Sequence, residues 1–198
     1  MTDNTLTIRQ PDDFHVHLRN GDMLEEVIRY TALVFGRALV MPNLRPNPVL
    51  NGQDAMDYLR QILAACRKME CEGCKALMTI QITADTTPLM IRTAKMLGVV
   101  AAKFYPKHGT TNSDNGLASV LDIPDEVLLA MREVGMVLCV HAEKPGAFIL
   151  DREKLCVGDM ITLVRERPAP KVVWEHISSR DAYDVVRHGP DKLFATIA

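Results

Sequence analysis

Two histidines separated by one residue are the first side chains in this sequence whose spacing suggests chemistry. His15 and His17 lie in a short apolar segment that is typical of a strand, and Arg19 follows two residues later. Residues i and i+2 of a strand point to the same face, so the two imidazoles and the guanidinium are predicted to face one spot. Imidazole is a common ligand of zinc-like metals. The spacing therefore predicts a metal site, unless the pair is structural.

Further polar side chains stand at the ends of other apolar runs. They are Asn43, Lys103, His141 and His176. Each of the two histidines, taken alone, could be a strand-end residue that is hydrogen-bonded to a carbonyl. Four histidines at strand ends, with only His108 and His188 elsewhere, are hard to explain by packing. Together they predict one metal centre.

Lys103 differs from the other members of this set because the apolar run 98–102 leads into it. A lysine buried at a strand end is costly unless it is paired or chemically altered. Alternatively, its side chain could extend to solvent. Addition of CO₂ to the amine would give an anionic carbamate able to bridge two metal ions, which would remove the repulsion between an ammonium and a cationic centre.

Short apolar runs rich in β-branched residues alternate with amphipathic stretches, the pattern of repeated βα units around a parallel sheet. The predicted strands are 6–8 continuing irregularly to 17, then 37–41, 76–82, 99–104, 136–141, 171–176 and 193–197. The predicted helices are 23–34, 53–69, 88–97, 124–134, 159–167 and 180–188. Helix boundaries are indicated by Thr87 before Pro88, by Gly98 and Gly135, and by Ser179.

Helices regular enough to cover a parallel sheet predict an α/β fold, a (β/α)₈ TIM-type barrel whose active site lies at the carboxyl ends of its strands. We expect residues 1–198 to form a single catalytic barrel domain. Such a barrel takes about 250 residues, and this sequence stops within the seventh predicted strand. We therefore expect the barrel to be present only through about strand seven, and incomplete at its C-terminus.

Composition excludes several classes of function. A net charge of -2 provides no basic stripe for a nucleic acid, and no apolar run approaches the length of a membrane span. Residues 1–4 lack the features of a secretory signal. Five cysteines without framework spacing fit a reducing compartment, so we expect a cytoplasmic protein. The Cys-x-x-Cys at Cys71 and Cys74, close to Cys66, could bind zinc or act in redox chemistry, but free thiols on a loop are favoured.

Several segments resemble dihydroorotases of the bacterial monofunctional type, which belong to the amidohydrolase superfamily. The similar segments are 11–24, 40–44, 102–106 with 110–113, 140–143 and 175–177. They span nearly the whole chain, and they match the N-terminal portion of that family's pattern.

The resemblance implies two Zn²⁺ ions per complete subunit. One ion would be held by His15 and His17 and the other by His141 and His176, with N6-carboxylated Lys103 as the bridge. Such ions lower the pKa of a bound water and polarise an amide carbonyl.

The resemblance also implies the substrate contacts. Arg19 and Asn43 would grip the substrate carboxylate, with His141 as a further contact, and a guanidinium fork suits a carboxylate. Thr110 and Thr111 would lie in a loop, residues 106–118, that closes over the substrate. The reaction would be the reversible interconversion of N-carbamoyl-L-aspartate and L-dihydroorotate in pyrimidine biosynthesis.

The family's general-base aspartate, at the end of the eighth strand, would lie beyond Ala198. We therefore expect residues 1–198 alone to hold metal weakly and to turn over little substrate. The family further implies a homodimer that acts on a small molecule, without nucleic acid or membrane as a partner.

Two alternatives remain from the sequence. A hydantoinase or allantoinase would show the same histidines and lysine, although Arg19 and Asn43 favour an acidic substrate. A non-catalytic dihydroorotase-like scaffold is the second alternative, and such chains are expected to have lost metal ligands, whereas this chain carries each expected ligand up to Ala198.

Overall fold

Seven strands form one parallel sheet in the computed structural model, which describes residues 5–197. Residues 1–4, where we predicted no secretory signal, and Ala198 lie outside this range. Neighbours in the sheet follow chain order from β1 to β7. The strands are β1 Asp12–Val16, β2 Arg37–Val40, β3 Lys75–Gln81, β4 Ala101–Phe104, β5 Val137–Val140, β6 Val172–Trp174 and β7 Leu193–Ala195.

A helix follows each of the first six strands. The helices are α1 Asp22–Ala32, α2 Gly52–Lys68, α3 Pro88–Met96, α4 Asp125–Glu133, α5 Val157–Glu166 and α6 Arg180–His188. Apart from the first strand, the predicted elements are confirmed with ends that differ by no more than two residues. Parallel pairing in chain order with intervening helices is the topology of the predicted TIM-type barrel, described here through its seventh strand.

The first strand is shorter than predicted. It begins at Asp12, and the preceding Leu6 and Ile8 are exposed and outside any strand. A register shift between Asp13 and Val16 interrupts its pairing with β2. Since a shift of this kind re-aims side chains, strict alternation fails here, and Phe14 lines the interior of the sheet together with residues of the other strands.

The strands alternate between two apolar layers. Ala102, Leu138 and Trp174 pack outward against the helices in the main core. Inward residues of β2, β4 and β5, together with Met41 just after β2, form a smaller cluster of Leu39, Met41, Ala101 and Cys139. This inner face surrounds a cavity of about 310 Å³ with Glu175 in its lining. The pleat therefore decides which strand-end side chains face the barrel interior.

Local capping signals are confirmed. The Thr87 hydroxyl accepts a hydrogen bond from the Met90 N–H at the start of α3, and the Ser179 hydroxyl accepts one from the Ala182 N–H at the start of α6. Gly98 and Gly135 have φ of 92° and 64° after α3 and α4. These values lie in the left-handed region that suits glycine at a helix C-terminus.

The cysteines are free thiols, as predicted. Cys71 and Cys74 lie in the loop between α2 and β3, as predicted, whereas Cys66 lies in α2. Both Cys66 and Cys71 are buried. Over residues 5–197, no helix combines the length and apolar character required to cross a bilayer.

Candidate active site

The carboxyl ends of the strands bring four imidazoles together. His15 lies in β1 and His17 just after it, while His141 directly follows β5 and His176 lies two residues after β6. Ring centroids are 5.2 Å apart for His15 and His17, 5.3 Å for His15 and His176, and 4.6 Å for His141 and His176. The four side chains thus form a continuous cluster at one rim of the sheet.

The first histidine pair has the spacing expected of two ligands on one ion. The Nε2 atoms of His15 and His17 are 3.2 Å apart. Two nitrogens at about 2.0–2.1 Å from a tetrahedral zinc ion would be roughly 3.3 Å apart. The spacing of these nitrogens therefore fits a shared metal ion.

The second pair contains a nitrogen without a protein partner. Nε2 of His141 is buried and, among residues 5–197, has no hydrogen-bond partner; the Glu143 carboxylate oxygen is 3.6 Å away. A buried, unpaired ring nitrogen is costly unless something occupies its lone pair or takes its proton. A metal ion between His141 and His176 would satisfy it.

Burial and positive neighbours keep three of the imidazoles neutral. Burial is the largest cause, and it lowers the pKa of His17 to about 4, of His141 to about 3 and of His176 to about 4. Lys103 lowers all three pKa values further. At neutral pH these rings are uncharged, which is the form that binds a metal ion.

Lys103 lies on the inner face of β4 and is completely buried, so it does not extend to solvent. Its ammonium group forms an ion pair with Glu175, which is 1% exposed. Burial acts to raise the pKa of Glu175, but Lys103 and His15 outweigh it and lower that pKa to about 2. The cost of burying the lysine is therefore offset by an ion pair, the alternative to chemical modification that the sequence left open.

Glu175 is the site residue that sequence analysis missed. Besides pairing with Lys103, its Oε2 atom lies 2.6 Å from Nδ1 of His15, although the ring is not ideally aligned for a hydrogen bond. The signal was present in the strand pattern. Val173 is an inward residue of β6, so Glu175 two positions later is inward as well, and it faces the lysine across the sheet.

Arg19 follows the first histidine pair in a left-handed backbone conformation, with φ of 60°. Its carbonyl oxygen accepts a hydrogen bond of 2.5 Å from the hydroxyl of Tyr58, a buried residue of α2. Arg19 lies three residues after β1, at the same rim as the imidazoles, and its positive charge acts to lower the pKa of His17. The structure thus places Arg19 at the rim, with its main chain fixed from α2.

Asn43 is buried between the imidazoles and the loop 106–118. Its side-chain amide donates a hydrogen bond of 2.9 Å to the carbonyl of Thr111, and its own carbonyl accepts one of 3.0 Å from Asn112. Asn43 also acts to raise the pKa of His17, against the larger lowering by burial. One amide side chain therefore lies between the loop and the histidine cluster.

The loop 106–118 is tied internally and to the sheet. Thr110 and Ser113 exchange hydrogen bonds of 3.2 and 2.7 Å, and the Gln81 amide donates to Asn115 at 2.7 Å. The contacts of Thr110 and Thr111 run through their backbone atoms. Their predicted substrate contacts stay a prediction, whereas their position beside Asn43 is given by the structure.

Within residues 5–197, no three His, Cys, Asp or Glu side chains are grouped so as to hold a single ion. The donor set comprises two imidazole pairs, with Lys103 and Glu175 on the inner face beneath them. Neutral imidazoles, the 3.2 Å Nε2 spacing and the unpaired nitrogen of His141 fit two metal ions whose shared ligand comes from another side chain.

Comparison with known proteins gives a consistent result. No family model matches the chain. The chain is 44% identical over 196 residues to the dihydroorotase of Shewanella loihica, and 45% identical over 197 residues to that of Vibrio cholerae. These alignments cover 97% and 98% of this chain and 56% of each relative, so the chain spans little more than half of their length.

Solved structures agree with the fold. A crystal structure of dihydroorotase from Campylobacter jejuni superposes with a TM-score of 0.86 at 33% identity, covering 96% of this chain and 54% of that one. An L-hydantoinase from Arthrobacter aurescens, at 14% identity and a TM-score of 0.73, shares the fold over 94% of this chain and 46% of its own. The chain is therefore similar to the N-terminal portion of dihydroorotases, and it shares their TIM-type fold.

Proposed function

We propose that this chain carries most of the metal centre of a dihydroorotase, a metal-dependent cyclic amidohydrolase that interconverts N-carbamoyl-L-aspartate and L-dihydroorotate in pyrimidine synthesis. The observation that supports this most directly is the cluster of four imidazoles above a buried lysine at the carboxyl ends of the strands. The dihydroorotase relatives, at 44% and 45% identity, favour this substrate over hydantoin.

In this proposal, the site residues bind two zinc ions per subunit. His15 and His17 would hold one ion and His141 and His176 the other, with carboxylated Lys103 between them. When bound, the ions would polarise the substrate carbonyl and supply an activated water near neutral pH. The protein's own contribution is a buried, uncharged set of ring nitrogens.

In carboxylation, the Lys103 ammonium first loses a proton, and the lone pair of the neutral Nζ then forms a bond to the carbon of CO₂. The product loses a second proton, so the net change releases two protons to solvent and replaces a cation by an anionic carbamate. In the metal-free chain the ammonium is balanced by Glu175. With a carbamate in its place, two anionic groups would lie side by side on the inner face of the sheet, an arrangement that nearby divalent cations stabilise. The acidic partner is therefore compatible with a carbamate only in the metal-loaded state, so carboxylation and metal loading should occur together.

In this proposal, Arg19 and Asn43 bind the substrate carboxylate. A guanidinium and an amide N–H at the rim can engage a carboxylate through charge-assisted hydrogen bonds. His141 would be a further substrate contact. The loop 106–118, hydrogen-bonded to Asn43, is positioned to exclude water from the bound substrate.

A substrate panel tests the proposal. We would assay L-dihydroorotate, N-carbamoyl-L-aspartate, hydantoin and allantoin, each with zinc and bicarbonate. The chain would be tested alone and as a chimera carrying the remaining C-terminal part of the Vibrio cholerae relative, with His141→Ala as the inactive control. We expect the chimera to act on the first two compounds, and a preference for hydantoin or allantoin would overturn the choice of substrate.

Metal analysis separates the enzyme from a non-catalytic scaffold. We expect the chimera to bind two zinc ions per chain and to show a mass increase of one CO₂ on the peptide that contains Lys103. A folded chimera without metal and without turnover would favour the scaffold. The homodimer and the cytoplasmic location are proposed from the family resemblance, and sedimentation of the chimera tests the dimer.

A further inference from the structure

Glu175 occupies a position that the proposed metal centre does not assign. It lies one residue before His176, but its side chain faces the barrel interior beneath the opposite histidine pair. Its Oε2 atom contacts both the Lys103 ammonium and Nδ1 of His15. The carboxylate thus connects β6 to β1 and β4 at the base of the imidazole cluster.

The contact between Glu175 and His15 decides which ring nitrogen of His15 carries the proton. In the present ring orientation an N–H at Nδ1 does not point straight at Oε2. The two atoms are nevertheless only 2.6 Å apart, and since a carboxylate can only accept a hydrogen bond, this contact requires the proton on Nδ1. The other ring nitrogen, Nε2, is then the one with a free lone pair, and it lies 3.2 Å from Nε2 of His17. Metal-binding histidines commonly donate their second N–H to a carboxylate, which fixes the ring and its tautomer.

We infer that Glu175 is a positioning residue that orients the imidazole of His15, so that Nδ1 is held by the carboxylate and Nε2 is presented, with Nε2 of His17, to a metal ion. The inference rests on the proposed metal centre. It extends that proposal by assigning Glu175 as the carboxylate that orients one specific metal-binding histidine, His15. His141 and His176, which reach the cluster from β5 and β6, are not fixed in this way by Glu175.

The first test reads the ring directly and needs neither metal nor substrate. Long-range ¹H–¹⁵N NMR of the metal-free chain distinguishes the two tautomers of His15. We expect the proton on Nδ1 in the wild type and in Glu175→Gln, whose amide oxygen can still accept. In Glu175→Leu, which has no acceptor, we expect the proton to redistribute toward Nε2. A wild-type ring protonated on Nε2, or an unchanged tautomer in Glu175→Leu, would overturn the inference.

Because Glu175→Leu leaves the Lys103 ammonium buried without a partner, this variant could fail to fold. The double variant Glu175→Leu with Lys103→Met removes both charges and keeps the NMR readout. Its His15 should show the same redistribution as the single variant. If His15 keeps the Nδ1 proton there, the carboxylate does not set the tautomer.

The second test measures zinc affinity of the chain. Loss of an outer carboxylate typically lowers metal affinity by about 10–100-fold, so we expect a loss of this size in Glu175→Leu and a smaller one in Glu175→Gln. The matched control is Thr79→Val, which removes another buried polar group whose hydroxyl donates to the Val40 carbonyl. An equal loss in Thr79→Val would indicate general destabilisation and contradict the inference.

A double-mutant cycle tests whether Glu175 affects zinc affinity through His15 alone. In a His15→Ala background, Glu175→Leu should cause no further loss of zinc affinity, whereas in a His141→Ala background it should still cause its full loss. A persistent loss in His15→Ala would refute action through that ring. If neither this chain nor the chimera binds zinc, the proposed metal centre fails, while the tautomer measurement still decides the role of Glu175.

Discussion

The hydrogen bond from Tyr58 to Arg19 allows a direct test of how the main chain at the carboxyl end of β1 is held. The Tyr58 side chain is 2% exposed, and its hydroxyl donates to the Arg19 carbonyl at 2.5 Å. Tyr58→Phe keeps the ring and removes only the donor. Arg19 has a left-handed φ of 60°. This conformation is unfavourable for a residue other than glycine, and it persists only where surrounding contacts hold it.

The magnitude follows from the loss of one buried hydrogen bond. A typical bond contributes about 1 kcal/mol net, and a buried carbonyl left without a donor costs about 1–3 kcal/mol. We therefore expect Tyr58→Phe to lower the free energy of unfolding by about 2 kcal/mol. For a chain of this size that corresponds to a melting temperature lower by roughly 4–8 °C.

Urea denaturation and thermal melting measure this change. The matched control is Tyr30→Phe, because Tyr30 is 79% exposed and lies on the outer surface of α1. It should change the free energy of unfolding by less than about 0.5 kcal/mol. If Tyr58→Phe is as neutral as this control, Tyr58 does not hold the Arg19 main chain.

Alkaline pH provides an independent reading of the same contact. Burial raises the pKa of Tyr58 well above its usual value of 10.0. Below pH 10 the phenol is protonated in both the folded and the unfolded state. As pH rises above 10, the unfolded chain releases this proton first, so this group's contribution to stability falls by up to about 1.4 kcal/mol per pH unit. That part of the alkaline loss should be missing in Tyr58→Phe, and identical pH profiles would contradict the assignment.

Three further predictions address other contacts. Glu153→Ala should lower the free energy of unfolding by about 2–4 kcal/mol, measured in urea, because its buried carboxylate accepts hydrogen bonds from two backbone N–H groups before α6. Gly116→Ala should make the loop 106–118 more sensitive to proteolysis, since an added Cβ would lie 2.3 Å from a backbone carbonyl oxygen, whereas Gly158→Ala, with no atom within 4 Å, should leave it unchanged. Burial raises the pKa of Cys66 to about 11, so native-state alkylation followed by mass spectrometry should be slow at pH 8 and faster as pH approaches 11.

The fold was predictable because its signals are local. Apolar runs and amphipathic stretches alternate in the order of the strands and helices, and the caps at Thr87 and Ser179 act within a single turn. The exception is the first strand, where Leu6 and Ile8 are apolar and yet exposed. Apolar character alone did not distinguish a strand from an exposed segment before it. The two differ in whether they pair with β2, and this pairing begins at Asp12.

The histidine cluster was predictable for a geometric reason, whereas Glu175 was not. Parallel strands of a barrel end at the same rim, so a histidine at each strand end is enough to predict convergence. The role of Glu175, just after β6, depends on which residue of β4 lies near it, with β5 between the two strands. In the register, Lys103 pairs with Cys139 and Cys139 with Val173, which places Glu175 one inward position above the lysine. A single sequence contains the alternation but not this pairing.

The buried ion pair itself argues for a chemical role at this position. Exchanging a buried ion pair for well-packed apolar residues is often neutral or stabilising, so stability alone gives little reason to keep a lysine and a glutamate on the inner face of the sheet. The surrounding inward positions are apolar, among them Leu39 and Val173, and a leucine or methionine pair would continue that layer. The two charges lie instead directly beneath the four imidazoles, with one carboxylate oxygen in contact with both Lys103 and His15. Their placement is explained if the lysine must be chemically available and the histidine must be oriented, and the tautomer of His15 tests the second half of that explanation.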